Sequence, residues 1–357
     1  MSSTYLRKDG RWETRISLGI VNGKRQSRSF YGATREQAEA NMLSAFALSS
    51  DPAVTEMSVK MLCYEWLNIC ELRVKVSTLA NYRMKIEKHI IPHFGDKMCF
   101  DLTSKNAYEF MQSKLRSGLS MRYVTDIMVL LKSLFRYAKR EYGVISPFDN
   151  LVMPKCSKSE VRLLTENERK TLKAYLSAHK DPYTLGATLA LAMGLRIGEI
   201  CSLMWQDIDL EKRILSVRRT VQRVAVREGN TRTKVMIMPP KSENSVREIP
   251  IPADVYCMLK NMEHTPEHFI LSGSDKPLEP RKLQYHFAKM LKNADLPSVH
   301  FHSLRHSFAC SALQAGFDLK TLSEILGHSR IELTMDLYIH SDLDRKRACM
   351  ELMNWSA

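Results

Sequence analysis

Near the C-terminus, His302-Ser-Leu-Arg305-His306, then Leu326-Gly-His328, then Tyr338 with His340 bring imidazoles, a guanidinium and a phenol into one short stretch. Farther back, Gly194-Leu-Arg196-Ile-Gly-Glu199 supplies a second arginine and a carboxylate, and Pro240-Lys241-Ser242 a lysine. Together these groups suit covalent attack on a phosphodiester without a metal. The non-bridging oxygens of such an ester share a negative charge that grows as a fifth oxygen approaches in line, and stabilising it is the main catalytic task. A guanidinium is permanently charged and offers a planar fork matched to phosphate oxygens. Arg196 and Arg305 are therefore the candidates, and only a fold can unite residues so far apart.

Tyr338 is the candidate nucleophile. A phenol with an ordinary pKa of about 10 is mostly neutral at pH 7, so it must lose a proton as it attacks. His302 or a phosphate-polarised water could accept that proton, and a cationic cluster favours the phenolate. Lys241 is the candidate donor to the departing oxygen. It lies between strand-like Thr233–Met238 and Val246–Ile251, which predicts a place near the tip of a β-hairpin; Lys212 and Lys234 are its competitors. His302 and His306, spaced i, i+4, also fit one face of a helix, as zinc ligands do. The intervening Ser-Leu-Arg lacks the glutamate of His-Glu-x-x-His and no third ligand has suggestive spacing, so no metal is expected.

In chain order the motifs run Arg, Lys, His-x-x-Arg, Gly-His, Tyr across roughly the last 200 residues, a domain of ordinary size. This order resembles the catalytic domain of the tyrosine recombinases, the phage-integrase family of site-specific DNA strand-exchange enzymes. The resemblance implies that Tyr338 forms a 3′-phosphotyrosyl bond and frees a 5′-hydroxyl, with no cofactor. It also implies that His302 and Arg305 form the His-x-x-Arg box, that His328 adds a hydrogen bond to the scissile phosphate, and that His306 and His340 support the site. Glu199 would orient a catalytic side chain, although a buried cap or ion pair reads identically. Two other functions stay open. A type IB topoisomerase uses similar residues to relax DNA, and a non-catalytic DNA-binding regulator could keep the fold without the activity.

The rest of the chain must position these groups. Its 357 residues allow two or three domains. A formal charge of +14 favours a polyanionic partner, and 44% hydrophobic residues mark an ordinary globular composition. No stretch approaches the roughly 18 to 20 apolar residues of a membrane span, and the N-terminus lacks a signal-peptide core. A cytoplasmic protein is expected, its eight cysteines reduced, with Cys63 and Cys70 on one helix face.

Three domains are expected: 1–52, 56–150 and 158–357. In the first, Asp9-Gly10 and Asn22-Gly23 are hairpin turns, Trp12, Thr14, Ile16 and Leu18 alternate with polar residues, a further strand covers Arg25–Tyr31, and a helix begins after Thr34. This three-stranded β-sheet plus helix resembles the arm-site-binding domain of integrases of prophages and conjugative transposons. Arg11, Arg15, Arg25 and Arg28 are its candidate DNA contacts, since a β-ribbon fits the major groove. The second domain reads as four helices, one carrying Leu79, Tyr82, Ile86 and Ile90 and ended by Pro92. Thr78-Leu-Ala-Asn-Tyr82…His89-Ile-Ile-Pro-His-Phe-Gly95 resembles the family's core-binding bundle, with Lys75, Arg83, Lys85, Lys132 and Arg136 as candidate phosphate contacts. The third is a mainly helical α+β catalytic domain closed by a helix over 342–354. The resemblance further implies double-stranded DNA with core and arm attachment sites, a homotetramer on DNA, an excisionase-type factor and a host DNA-bending protein, all serving a prophage or conjugative transposon.

Overall fold

The computed structural model describes residues 2–7, 9–21, 24–47, 57–153, 162–228, 231–240, 245–262 and 264–327, with 347, 350 and 351; the side chains of residues 2, 3, 16–28, 42–47, 227, 228, 231 and 232 are outside that description. The chain divides into two compact units, 1–157 and 158–357.

The first unit opens with an antiparallel sheet in the order β1 (Ser2–Leu6), β2 (Trp12–Val21), β3 (Lys24–Gly32). Gly10 takes a positive φ of 81° and closes the turn by donating to the Arg7 carbonyl, the left-handed conformation for which glycine has no steric cost. Thr14 is buried as its phase predicts, and α1 (Arg35–Ala47) covers the sheet with Ala38. Two details differ from simple alternation. A bulge between Ser17 and Gly19 takes Leu18 out of register. Glu13, on the expected polar face, is only 5% exposed, because Arg7 and Ser29 both donate to its carboxylate.

A helical bundle follows. Ser58 caps α2 (Val59–Glu71), whose Val59, Leu62, Cys63, Trp66, Leu67 and Cys70 are buried along the predicted face. After α3 (Val76–Lys85), the chain runs through a π-helical turn, Ile86–Ile90, into α4 (Ile91–Phe94). Pro92 therefore does not end the helix, contrary to expectation. It follows closely on the π turn, whose wider hydrogen-bond step accommodates the ring and the change of register without ending the helix. Thr103 and Asn106 form a capping box on α5 (Ser104–Arg116), and α6 (Met121–Tyr142) stops at Gly143. Phe94, Phe110, Phe135 and Phe148 pack through the core in tilted and edge-on pairs with ring centres 4.8 to 6.3 Å apart.

In the second unit, Thr165 caps α7 (Glu166–Ala178) and Asp181 caps α8 (Pro182–Met193), the buried central helix. Next come α9 (Ile197–Ile200), β4 (Ile208–Asp209), β5 (Ile214–Val217), β6 (Thr220–Glu228), β7 (Thr231–Met238) and β8 (Arg247–Pro250). Four helices complete the described fold: α10 (Ala253–Lys260), α11 (Pro280–Asn293), α12 (His302–Gln314) and α13 (Leu319–Leu326). The strands expected to form one hairpin around Lys241 instead belong to different sheets. β7 pairs with β6, whereas β8 pairs with β5 in the order β4-β5-β8. Strand phase alone does not specify the partner, and Lys241 itself lies outside the described residues. The helix expected over 342–354 lies outside the described residues except for helical Arg347, Met350 and Glu351.

Candidate active site

The end of α8 sets the site. Gly194 has a φ of +66°, and a Cβ there would fall 2.4 Å from the Phe308 ring and 2.9 Å from Leu326, so only glycine fits this turn. Leu195 then enters the core and Arg196 stands in extended backbone as the N-cap of α9. Glu199, three residues on, turns back. Its Oε2 accepts from the Arg196 backbone N–H at 2.9 Å and its Oε1 from the Arg196 guanidinium at 2.7 Å. This satisfies an orphan helix donor and fixes the arginine in one motif. Gly198 lets the short helix lie against β6, since a Cβ would meet the Val221 carbonyl at 2.7 Å.

Arg305 arrives from the first turn of α12 and is 3% exposed. It donates to the Gly194 carbonyl at 2.6 Å and the Leu326 carbonyl at 2.5 Å. Arg196 donates to the next carbonyl, Gly327, at 3.1 Å, and Arg247 of β8 to the preceding one, Ile325, at 2.5 Å. Three guanidinium groups thus meet three successive carbonyls at the C-terminal end of α13. Those carbonyls have no helical partner among the described residues and carry the negative end of the helix dipole, which favours the gathering of like charges.

The electrostatics follow from this crowding. Burial alone would raise the Glu199 carboxyl, but hydrogen bonds and charge from Arg247, with the charge of Arg196, hold it below the usual range. Burial, then repulsion from Arg196, brings Arg305 down to about 9, still cationic at neutral pH. Burial and then the positive charges of His306, Arg305 and Arg196 lower His302 to about 4. His302 keeps an exposed face beside these cationic neighbours. His306 is lowered by burial and by Arg305; the two rings meet edge-on, 4.7 Å between centres. A neutral His302 can accept a proton, while the arginines offer positive charge to an anion.

Arg196, Glu199, His302, Arg305 and His306 are therefore brought together, whereas Lys241, His328, Tyr338 and His340 lie outside the described residues. Arg247 was missed. The sequence offered its phase, two residues before buried Ile249 on the same face of β8, and its place in the Arg-x-Ile-Pro pattern that follows Lys241, but neither assigned it a role. In the first unit, Arg11 is exposed and pairs with Asp9, and Arg15 is exposed; the side chains of Arg25 and Arg28 lie outside the description. Lys75 and Arg136 are exposed, and Arg83 and Lys132 half-buried. Lys85 requires correction as a phosphate contact: it is 8% exposed, lies 5.5 Å from the Tyr123 ring centre and reaches Asp126 at 3.6 Å. Among the described residues, no three His, Cys, Asp or Glu gather as metal ligands, and no helix is long and apolar enough to cross a membrane.

Comparison with known proteins gives this geometry a lineage. The chain is 28% identical to a XerC-like tyrosine recombinase of Caldanaerobacter subterraneus over 97% of both proteins, and 24% identical to the ICEBs1 integrase of Bacillus subtilis over 93% of this chain and 94% of that one. Its fold is similar to that of the Tn1549 transposon integrase solved in complex with transposon right-end DNA (TM-score 0.70, 24% identity, 83% of this chain and 99% of the other). It is also similar to a lambda integrase dimer bound to a core site (TM-score 0.61, 19% identity, 94% and 93%). Residues 58–115 match the phage integrase N-terminal SAM-like domain. Residues 158–345, more than half of the chain and the whole span from Arg196 to Tyr338, match the phage integrase family, and the chain belongs to that family of tyrosine recombinases, enzymes that cut and rejoin DNA.

Proposed function

We propose that this recombinase integrates and excises a mobile element, with Arg196 and Arg305 holding the scissile phosphate. Tyr338 attacks phosphorus: the Tyr338 oxygen–phosphorus bond forms, the bond to the 5′-oxygen breaks, and the phenolic proton passes to His302 or a phosphate-bound water. Lys241 gives a proton to the departing 5′-oxygen, and His328 donates to a non-bridging oxygen. The freed 5′-hydroxyl of a partner strand later reverses the attack, so each ester is replaced by another and no cofactor is consumed. Glu199, His306 and His340 support the set. The observation that carries this reading is the meeting of Arg196 with Arg305, more than a hundred residues apart, at one helix end, with the Glu199 carboxylate paired to Arg196.

The remaining assignments rest on the family and its relatives. Residues 1–52 bind arm sites through the sheet face that presents Arg11 and Arg15, and 56–150 grip the core site through Lys75, Arg83, Lys132 and Arg136. Residues 158–357 perform the chemistry. A tetramer on two duplexes provides the four cleavages; a lambda integrase tetramer solved on a Holliday junction, whose fold is similar (TM-score 0.59, 20% identity), supports that arrangement. An excisionase-type factor and a host DNA-bending protein would set direction. The test is Tyr338→Phe on nicked suicide duplexes: DNA binding is retained and no covalent adduct forms. An undiminished adduct would remove Tyr338 from the mechanism.

A further inference from the structure

Arg247 has no part in the chemistry above, yet its side chain is only 6% exposed and its mapped contacts converge on the site. Its two terminal nitrogens donate to Glu199, at 3.1 Å to Oε1 and 3.0 Å to Oε2. Its Nε donates to the Ile325 carbonyl at 2.5 Å, and one terminal nitrogen also to the Ser245 carbonyl at 3.0 Å. A carboxylate offers about four lone-pair sites. Two are taken by Arg196, through its backbone and its guanidinium, and two by Arg247. Nothing else among the described contacts fixes the plane of the carboxylate that fixes Arg196.

We propose that Arg247 is a positioning residue for strand cleavage: its bidentate grip on Glu199 sets the orientation of the Arg196 fork, and its Nε ties that assembly to the end of α13 that leads into His328. The inference rests on the reading of Arg196 as a phosphate ligand. A lysine cannot replace it, because a single ammonium cannot reach both carboxylate oxygens in the plane of the fork. Around Glu199 the charged or titratable groups are Arg196 on its own helix, Arg247 from β8, and Arg305 and His302 from α12; β6 contributes Thr220 and Val221. Of these, Arg247 opposes the effect of burial on the carboxylate most strongly. Without it Glu199 protonates at higher pH, and Arg196 is released as the solution is acidified.

The experiment uses full-length protein and a nicked suicide duplex that the unsubstituted protein cleaves, following single-turnover adduct formation and duplex affinity from pH 5.5 to 9. Arg247→Lys is expected to bind with little change and to cleave about a hundredfold more slowly, the scale of a catalytic group displaced by about 1 Å. Arg247→Met is expected to show a further loss, relative to unsubstituted protein, as pH falls. That acid limb disappears in Arg247→Met/Glu199→Gln, which has no carboxyl to titrate. A purely structural role moves melting temperature without creating this limb. Should Arg247→Met fail to fold, Arg247→Lys decides alone through cleavage at retained affinity. Arg247→Lys cleaving at the unsubstituted rate would overturn the inference, as would a rate ratio constant across pH in a folded Arg247→Met. Arg196→Lys cleaving that duplex at the unsubstituted rate would instead sink the reading of the site on which the inference rests.

Discussion

Arg196 and Arg305 carry the same charge, but their surroundings give them different sensitivities. Arg196 keeps a third of its side chain exposed, whereas Arg305 is enclosed and bridges two carbonyls from separate elements. Replacing a guanidinium by an ammonium keeps the charge and removes the fork. Arg196→Lys should therefore lose less stability than Arg305→Lys, because solvent reaches a third of the Arg196 side chain, while cleavage falls about 10²- to 10³-fold, the usual effect of losing one transition-state donor. Arg305→Lys should lose stability as well, by about 1–3 kcal/mol, because a buried carbonyl at Gly194 or Leu326 is left without a donor. Thermal melting alongside adduct formation separates the two cases. Equal melting losses would show that Arg305 is not the internal brace described.

At the scale of elements, the turn that ends α8 couples stability to the site. Gly194 needs a left-handed backbone, has no room for a Cβ, and directs its carbonyl at Arg305. Gly194→Ala should cost about 1–3 kcal/mol in strain alone and reduce cleavage more than a remote core substitution of equal cost, which paired melting and adduct measurements on both variants would show. That turn was legible, since the apolar run Leu189–Met193 breaks at a glycine. So were the Asp9-Gly10 hairpin, the buried face of α2 and the placement of His302 and His306 on one helix. These features are local: a period, a breaker or a cap specifies them. What escaped was long-range. Pro92 was absorbed by a π turn, the strands flanking Lys241 chose partners in different sheets, and Lys85 turned inward to Asp126. Glu13 and Arg247 look like surface charges in sequence and became buried because a partner arrived from another strand or helix. The grouping of Arg196, Arg305 and His302 was legible only through the order of motifs.

For the whole molecule, the excess of positive charge makes folding and polyanion binding respond oppositely to acid. His89 and His93 in the first unit are lowered by burial and then by lysines including Lys114; His302 and His306 in the second are lowered by burial and by arginine or histidine neighbours. With folded pKa values below the ordinary 6.5, the unfolded chain binds more protons just beneath that pH. Stability is then fully present above about 6.5 and declines as pH falls toward the folded values, about 4 for His302. Glu199, lowered in the fold, loses its contribution further down, as pH drops through its folded pKa. A phosphate bound at Arg196 and Arg305 would supply the negative charge that His302 lacks, raising its pKa and linking proton uptake to DNA binding. The free protein should therefore melt progressively lower from pH 7 to pH 5, and the DNA-bound protein should lose less over the same interval at fixed salt. His302→Gln should narrow the difference between them. If bound and free protein lost melting temperature in parallel, His302 would not face the phosphate, and its depressed pKa would belong to folding rather than to cleavage.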